Sequence, residues 1–548
     1  MTPPETLAAQ PTETTTTARP KVGFVSLGCP KNLVDSEVMM GLLHHNGAEL
    51  TPSAEDAEIL VVNTCSFIDS AKQESVNTIL EMARHKITAG GKARRLIVAG
   101  CLVERYRDEI QKNIPEVDAV VGTGELEAIL KAAGLQPDAA AGLTPSGHSA
   151  NSPFNILPQG AAATAATQDL IARAPSAVHQ HSHPTEIGAQ IEAETSADTT
   201  PSRPEGDARE QSGRFSRAAW DGATAALPEY LYSDQTPRIL TTPRASAYIK
   251  IAEGCDHPCG FCIIPQLRGK FRSRRMSSII AEAENLIGQG VREITLIGQD
   301  TTCYGEDLGL KDGLAQLLDA LAVLPGLRWL RFLYTYPNKV TTRLLETMAK
   351  HDTIAKYLDV PLQHASPSVL KRMKRGGTPE IFLDLIAKAR RIVPGIVIRT
   401  SFIVGFPGET DEDFKQLEAF ITAAEIDWLG VFTYSDEEGA AAYNLAPELK
   451  LPKRAIEARR RKLMKLQQKI STRAKSAWIG REIDLLVEGP SEETDLLWQG
   501  RSPLHAPEID GKVLINDFGP HEALVPGTFY RAEITESHDY DVVARILE

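Results

Sequence analysis

The feature that most constrains this chain is one local pattern used repeatedly: an apolar run that stops at a cysteine, glycine or polar residue, followed by a stretch of helical periodicity. Four such runs, KVGFVSL, EILVVNT, RRLIVAG and DAVVGT, lie between Lys21 and about Gly134, separated by segments such as LVDSEVMMGLLHHN. Six more, AYIKIAEGC, EITLIGQD, WLRFLYTY, YLDVPLQH, VIRTSFIVGFPGE and WLGVFTYSDEEG, lie between about Ala245 and Ala446. Strands that alternate with helices pair in parallel, because a parallel neighbour is reached only by a crossover long enough to hold a helix. The first block is expected to be a parallel α/β three-layer domain. The second is expected to be a partial (βα)6 barrel, with its chemistry at the carboxyl ends of the strands.

At 548 residues the chain exceeds what one hydrophobic core supports, so several units are expected. Residues 1–20 are Thr/Pro-rich without apolar periodicity and read as a disordered tail; residues 21–134 are the first domain. Residues 135–240, dominated by Ala, Thr, Ser, Pro, Gly and Gln, read as a flexible low-complexity linker, because so few large apolar side chains cannot offset the entropy of ordering the backbone. The HQHSH tract within it (His179, His181, His183) is read as linker composition rather than a metal site. The barrel takes residues 241–452, and a basic connector helix follows at 453–475, with ten basic side chains and Glu457 as its single acid. Residues 476–548 reverse the sign, with fifteen acidic and five basic residues, on short strands that suggest a small antiparallel β-barrel.

The overall charge is −13, and 42% hydrophobic with 24% charged residues excludes a disordered, fibrous or membrane chain. No run approaches the roughly 18 apolar residues of a membrane span, and no basic-then-apolar leader opens the sequence, so the cytoplasm is expected. Seven cysteines are too few for a disulfide scaffold and point to metal binding, catalysis or mere space-filling, which their positions decide.

The cysteines sort into two triads. Cys29, Cys65 and Cys101 each follow a strand-like run directly, at intervals of 36 positions, so one βαβ step per interval brings all three to the same sheet edge. Cys255, Cys259 and Cys262 form CxxxCxxC in EGCDHPCGFC, just after the first barrel run. The first triad suits an iron–sulfur or zinc site; a structural zinc site takes four protein ligands, and the second triad has no well-placed fourth, whereas three thiolates on an iron–sulfur cluster leave one iron open to a ligand. Strand-end polar groups are candidate cofactor contacts: Gln299, Asp300, Gln363, His364, Arg399 and Ser401, with Gly405 and Gly408 letting backbone approach. Cys303 has no partner triad and is read as structural or incidental, and no catalytic acid or base is assigned.

The CxxxCxxC loop at the first barrel strand, with Phe261 before its last cysteine, resembles the radical S-adenosylmethionine superfamily. The whole architecture resembles the methylthiotransferases, whose terminal module is called TRAM. Within them, SLGCPKNLVDSE (Ser26 to Glu37) and IAEGCDHPCGFCIIPQLRGKFRSR (Ile251 to Arg274) are most similar to the branch that modifies an aspartate of ribosomal protein S-twelve. The long 135–240 insertion departs from that family's pattern. The resemblance implies two 4Fe–4S clusters, one per triad, and two molecules of S-adenosylmethionine. One gives the methyl group, and the other the radical that takes hydrogen from an unactivated aspartate β-carbon. It also implies an electron donor such as flavodoxin or ferredoxin, a sulfur donor, and S-twelve as partner, free or in the small ribosomal subunit. The alternatives are a tRNA adenosine methylthiotransferase and, with full four-cysteine ligation, an iron–sulfur electron carrier. The net −10 of residues 476–548 favours a basic protein over RNA as target, while the +9 helix leaves ribosomal RNA contact open.

Overall fold

The computed structural model describes residues 19–136, 228–491, 494 and 496–547. The expected tail up to residue 18, residues 137–227 of the expected linker and the three HQHSH histidines lie outside the described residues.

In the first domain β1 (Lys21–Ser26), β2 (Glu49–Leu50), β3 (Ile59–Thr64), β4 (Arg95–Gly100) and β5 (Ala119–Val121) form a parallel sheet in the order β2-β1-β3-β4-β5. β3 is buried along its whole length and apolar from Ile59 to Val62, as a central strand covered on both faces must be. Helices α1 (Pro30–His45) and α4 (Ala128–Ala133) pack into one core, α2 (Asp69–Ala83) and α3 (Cys101–Asn113) into the other. The chain leaves β1 toward β2 on one side and returns to β3 on the other, so the sheet's crevice opens between the carboxyl ends of β1 and β3.

The second domain is an arc of six parallel strands: β6 (Ser246–Lys250), β9 (Glu293–Ile297) and β10 (Trp329–Phe332), then β11 (Tyr357–Asp359), β12 (Val397–Val404) and β13 (Trp428–Thr433). One parallel bridge, Leu330 to Ile354, joins the halves. A short antiparallel pair, β7 (Ala252–Glu253) with β8 (Arg272–Ser273), brackets the CxxxCxxC loop and α5 (Ile264–Arg268). Outside the arc lie α6 (Met276–Gly288), α7 (Gly313–Leu321), α8 (Thr342–Lys350), α9 (Pro367–Arg372), α10 (Pro379–Ile392) and α11 (Asp411–Ala424). The basic helix α12 (Lys453–Ser476) is more than a connector: Ile456, Leu463 and Ile470 recur at i, i+7, i+14 on its buried stripe and join the barrel core.

Strands β14 (Glu482–Pro490), β15 (Trp498–Arg501), β16 (Val513–Asp517), β17 (Phe529–Ser537) and β18 (Val542–Ile546) close into a barrel in the order β14-β15-β16-β18-β17. The expected purely antiparallel barrel is corrected in one pair, since β16 and β18 run parallel. A ring of five strands cannot alternate direction all the way round, so one parallel pair is a geometric necessity. This module seats on the amino ends of the six-stranded arc. Arg501 pairs with Glu293 at 2.7 Å, Trp428 Nε1 donates to Leu504 O at 3.0 Å, and Tyr357 donates to Asp510 Oδ2 at 2.6 Å. His505, fully buried, fills the floor between Trp428 and Trp478.

The linker boundary is also corrected. Residues 228–240, assigned to the linker by composition, pack between the first two domains: Tyr232 is buried, and Arg238 pairs with Glu37 at 2.6 Å and with Glu282 at 2.7 Å. A few anchoring side chains hold a segment whose average composition reads as unstructured.

Candidate active site

Both triads sit where their strands end. Cys29 caps α1, whose first residue Pro30 has the fixed φ that suits a helix start, and Cys101 is the first residue of α3. Gly28 has φ +90°, and a Cβ there would meet Cys65 Cβ at 2.8 Å, so only glycine lets the end of β1 close on the end of β3. Asn63 donates to Asn32 O and Ser36 Oγ, both at 2.8 Å, Ser75 donates to Cys65 O at 2.8 Å, and Thr64 Oγ1 donates to Ala99 O at 2.5 Å, which ties the ends of β1, β3 and β4 to one another. Burial pushes the Cys65 and Cys101 thiols well up; neighbouring cysteine sulfurs push them further, and the nearby Arg268 works against this at Cys101.

The CxxxCxxC loop is pinned on both flanks. Cys255 N–H donates to Gly269 O at 3.2 Å, and Gly260 N–H donates to Met373 O at 2.8 Å. Two donors point at sulfur: Arg375 reaches Cys259 Sγ at 3.4 Å, and Ile264 N–H reaches Cys262 Sγ at 3.4 Å. Burial raises Cys255 to about 11 and Cys262 to about 12, values that a bound metal reverses by taking the thiolates as ligands. All six sulfurs are free thiols, and each triad receives N–H donors from a buried arginine or the backbone, as an anionic thiolate-bound cluster requires. The residues present therefore fit two three-cysteine clusters.

The two triads meet across a buried ionic junction that periodicity and spacing do not reveal. Arg268, on α5, reaches Cys101 Sγ at 3.5 Å and Asp35 Oδ2 at 2.6 Å. Lys250, at the end of β6, pairs with Asp35 and Glu253, each at 2.5 Å. Burial alone would raise the Glu253 carboxyl, but Lys250 and Arg268 outweigh it and hold it well below the ordinary range. Cys101 also shares a buried apolar cluster with Ile263, the residue after Cys262, and with Leu267 and Ala440. Farther out, Arg105 pairs with Glu437 at 2.8 Å and Lys72 joins it at 2.9 Å, clamping the first domain onto the end of β13.

The sequence candidates divide. Gln299 donates to Glu253 Oε1 at 2.6 Å and lies at the junction. Asp300 meets His257 Nε2 at 2.5 Å, and the His257 ring stacks on Tyr336 at 3.9 Å. Burial would raise the Asp300 carboxyl; hydrogen bonds from His257, Thr302 and Cys303 hold it low instead. Cys303 thus spends its thiol on Asp300, at 3.1 Å. Phe261 packs beside Val369, Met373 and Phe406 next to the loop. Ser401 keeps its partly buried place on β12, its carbonyl accepting from Gln363 N–H at 2.8 Å.

Three candidates are turned to other work. Arg399 is locked by Asp359 at 2.7 Å and by Asp510 of the terminal barrel at 3.6 Å, so it ties the arc to its floor. Gly405 (φ +79°) faces α12, where a Cβ would meet Ile456 Cγ1 at 2.5 Å, and Gly408 faces Arg372. The reason is the same for all three: neighbours far along the chain decide which way they look. His364 is a core histidine, accepting from Ser366 N–H at 2.9 Å, and burial drives it down to about 3.

Residues 21–122 match the family described as "Uncharacterized protein family UPF0004", residues 249–421 the Radical SAM superfamily, and residues 479–547 the TRAM domain. The chain is 63% identical over 545 residues to "Ribosomal protein uS12 methylthiotransferase RimO" of Koribacter versatilis, covering 99% of this chain and 100% of that one. It is 51% identical to the protein of the same name from Solibacter usitatus, covering 96% and 95%, and 41% identical to that from Myxococcus xanthus, covering 97% and 93%.

Proposed function

Since the chain belongs to the family of the ribosomal protein uS12 methylthiotransferases RimO, an enzyme family of the radical S-adenosylmethionine type that uses 4Fe–4S clusters, we propose that it adds a methylthio group to the β-carbon of an aspartate in S-twelve. The observation that carries this reading is the pair of three-thiol sites on facing strand ends, joined through Arg268. Cys255, Cys259 and Cys262 would hold the cluster that binds S-adenosylmethionine, and Cys29, Cys65 and Cys101 would hold the second. The bound groups supply a carbon radical and a transferable sulfur, chemistry that no side chain provides. The chain's own part is geometric and electrostatic. Arg268 and Arg375 place positive charge against the thiolates, and the Asp35–Lys250–Glu253 junction holds the two domains at a fixed spacing. The Arg105–Glu437 clamp and the buried Ile263–Leu267–Cys101 packing keep water from the seam.

Gln299 and Asp300, at the carboxyl end of β9, are the strand-end groups best placed to meet the first cofactor. Consumption of two S-adenosylmethionine molecules per turnover, an external electron donor such as flavodoxin or ferredoxin, a sulfur donor and a cytoplasmic setting complete the proposal. None of the described helices is long and apolar enough to cross a membrane.

The test is anaerobic reconstitution followed by mass spectrometry of S-twelve and of tRNA. The expected product is methylthio-aspartate on S-twelve, from a protein holding about eight irons, as two 4Fe–4S clusters require. A triple Cys255→Ala, Cys259→Ala, Cys262→Ala variant should keep about half of that iron. A methylthiolated tRNA adenosine with S-twelve untouched would move the chain to the tRNA-modifying reading.

A further inference from the structure

The junction between the triads is nearly balanced in charge, and the imbalance is one lysine. Lys31 follows Cys29 by two positions at the start of α1, and its ammonium stands 3.2 Å from the centroid of the Tyr334 ring. The charged groups that bear on it are Cys29, Arg268, Glu253 and Asp359. Both carboxylates among them are already engaged. Glu253 is held by Lys250 at 2.5 Å and by Gln299 at 2.6 Å; Asp359 is held by Arg399 at 2.7 Å and by Tyr334 N–H at 2.8 Å. Arg268 is committed to Asp35. Among the described residues Lys31 forms no ion pair, and at the start of α1, two positions after Cys29, it is only partly buried.

Tyr334 marks the same place independently. It is not glycine, yet its φ is +64° at the end of β10, a conformation that persists only where surrounding structure enforces it. Its phenol oxygen is buried and has no hydrogen-bond partner among the described residues. A cation on an aromatic face beside an unanswered hydroxyl is a receptor for an anion with acceptor oxygens.

We propose that Lys31, resting on Tyr334, receives the side-chain carboxylate of the target residue, and so is a positioning residue that selects aspartate. This rests on the reading of S-twelve as substrate. The reacting carbon of an aspartate is bonded directly to its carboxylate carbon, so anchoring the carboxylate fixes the β-carbon with no free torsion between them. Lys250 and Arg399 are taken up by Glu253 and Asp359, which leaves Lys31 as the cation of this wall for an incoming carboxylate. An asparagine or a nucleobase brings no charge to Lys31 and forfeits the pairing.

The experiment uses the reconstituted full chain and labelled S-twelve carrying either the target aspartate or asparagine in its place, with dissociation constants read by fluorescence anisotropy. The wild type should prefer the aspartate form by about tenfold or more, the size of a charge-assisted hydrogen bond. Lys31→Met and Lys31→Gln should each shrink that preference to about twofold or less, and Lys31→Arg should retain most of it. Iron content and circular dichroism establish that each variant is folded and loaded. Were Lys31 only balancing the charge of the first triad, both forms would weaken together and the ratio would stand, which overturns the inference. So does a wild type that methylthiolates the aspartate but binds the two forms equally. A wild type that leaves S-twelve unmodified and marks tRNA overturns the parent reading instead.

Discussion

Arg268 is the side chain on which most of the centre converges: it touches Cys101, Asn32, Asp35 and Glu253. Substituting Arg268→Met keeps the volume of the stem but leaves Asp35 with one partner and removes a buried cation. The expected loss is about 3–5 kcal/mol, seen as a lower urea midpoint, and a second change, Asp35→Asn, should restore part of it. The pH dependence of His364 is equally specific. Burial lowers it to about 3 in the folded chain, so between its unfolded value near 6.5 and that figure the unfolded chain binds the extra proton. Its contribution is therefore whole above pH 6.5 and drains away as pH falls, at about 1.4 kcal/mol per pH unit in the steep part. Thermal midpoints at pH 7 and pH 5 should fall farther apart in the wild type than in His364→Gln. At this scale the gathering of the six cysteines at strand ends was legible, because it is written in their spacing after apolar runs. Arg268, Lys250, Asp35 and Lys31 were not, because a buried charge is interpretable only beside its neighbours, and those that join the two domains, Asp35 with Lys250 and Arg268, lie far apart in sequence.

At the scale of elements, α12 shows how a charged segment acquires a structural role. Its basic residues suggested a connector, yet Arg459 pairs with Glu409 at 2.7 Å and Lys475 lies 3.7 Å from the centre of the Trp428 ring, while Ile456 enters the space that Gly405 leaves. Gly405→Ala should cost about 1–3 kcal/mol through overpacking and the strained φ, and pairing it with Ile456→Ala should recover part of that loss; urea unfolding of both singles and the double decides it. The strands were legible throughout, because an apolar run followed by a helical period has few other readings. What local pattern could not show was the direction of β18, fixed by the closure of a five-membered ring, or the anchoring of residues 228–240 by Tyr232 and Arg238.

Over the whole molecule the arc is capped at both ends, by the first domain on the carboxyl edge and by the terminal barrel on the amino edge. The terminal barrel's acidic surplus is partly internal, since Glu482 and Asp484 meet Arg531 and Glu533 meets Arg545. Asp517, Glu522 and Glu536 remain exposed. If this face steers a basic ribosomal protein, replacing the three by Lys should slow association with S-twelve at low salt and leave little difference at high salt, measured by stopped flow. The seat of that barrel also bears on how the protein comes into being. Translation delivers Arg399, Tyr357 and Trp428 well before Asp510, Leu504 and His505, the groups that answer them. During synthesis the arc therefore waits with an open floor and with Arg399 short of one of its two carboxylates, and both cysteine triads exist in the nascent chain before the structure that holds them rigid is complete. A chain cut short by its last module would be a substrate for quality control rather than a slower enzyme.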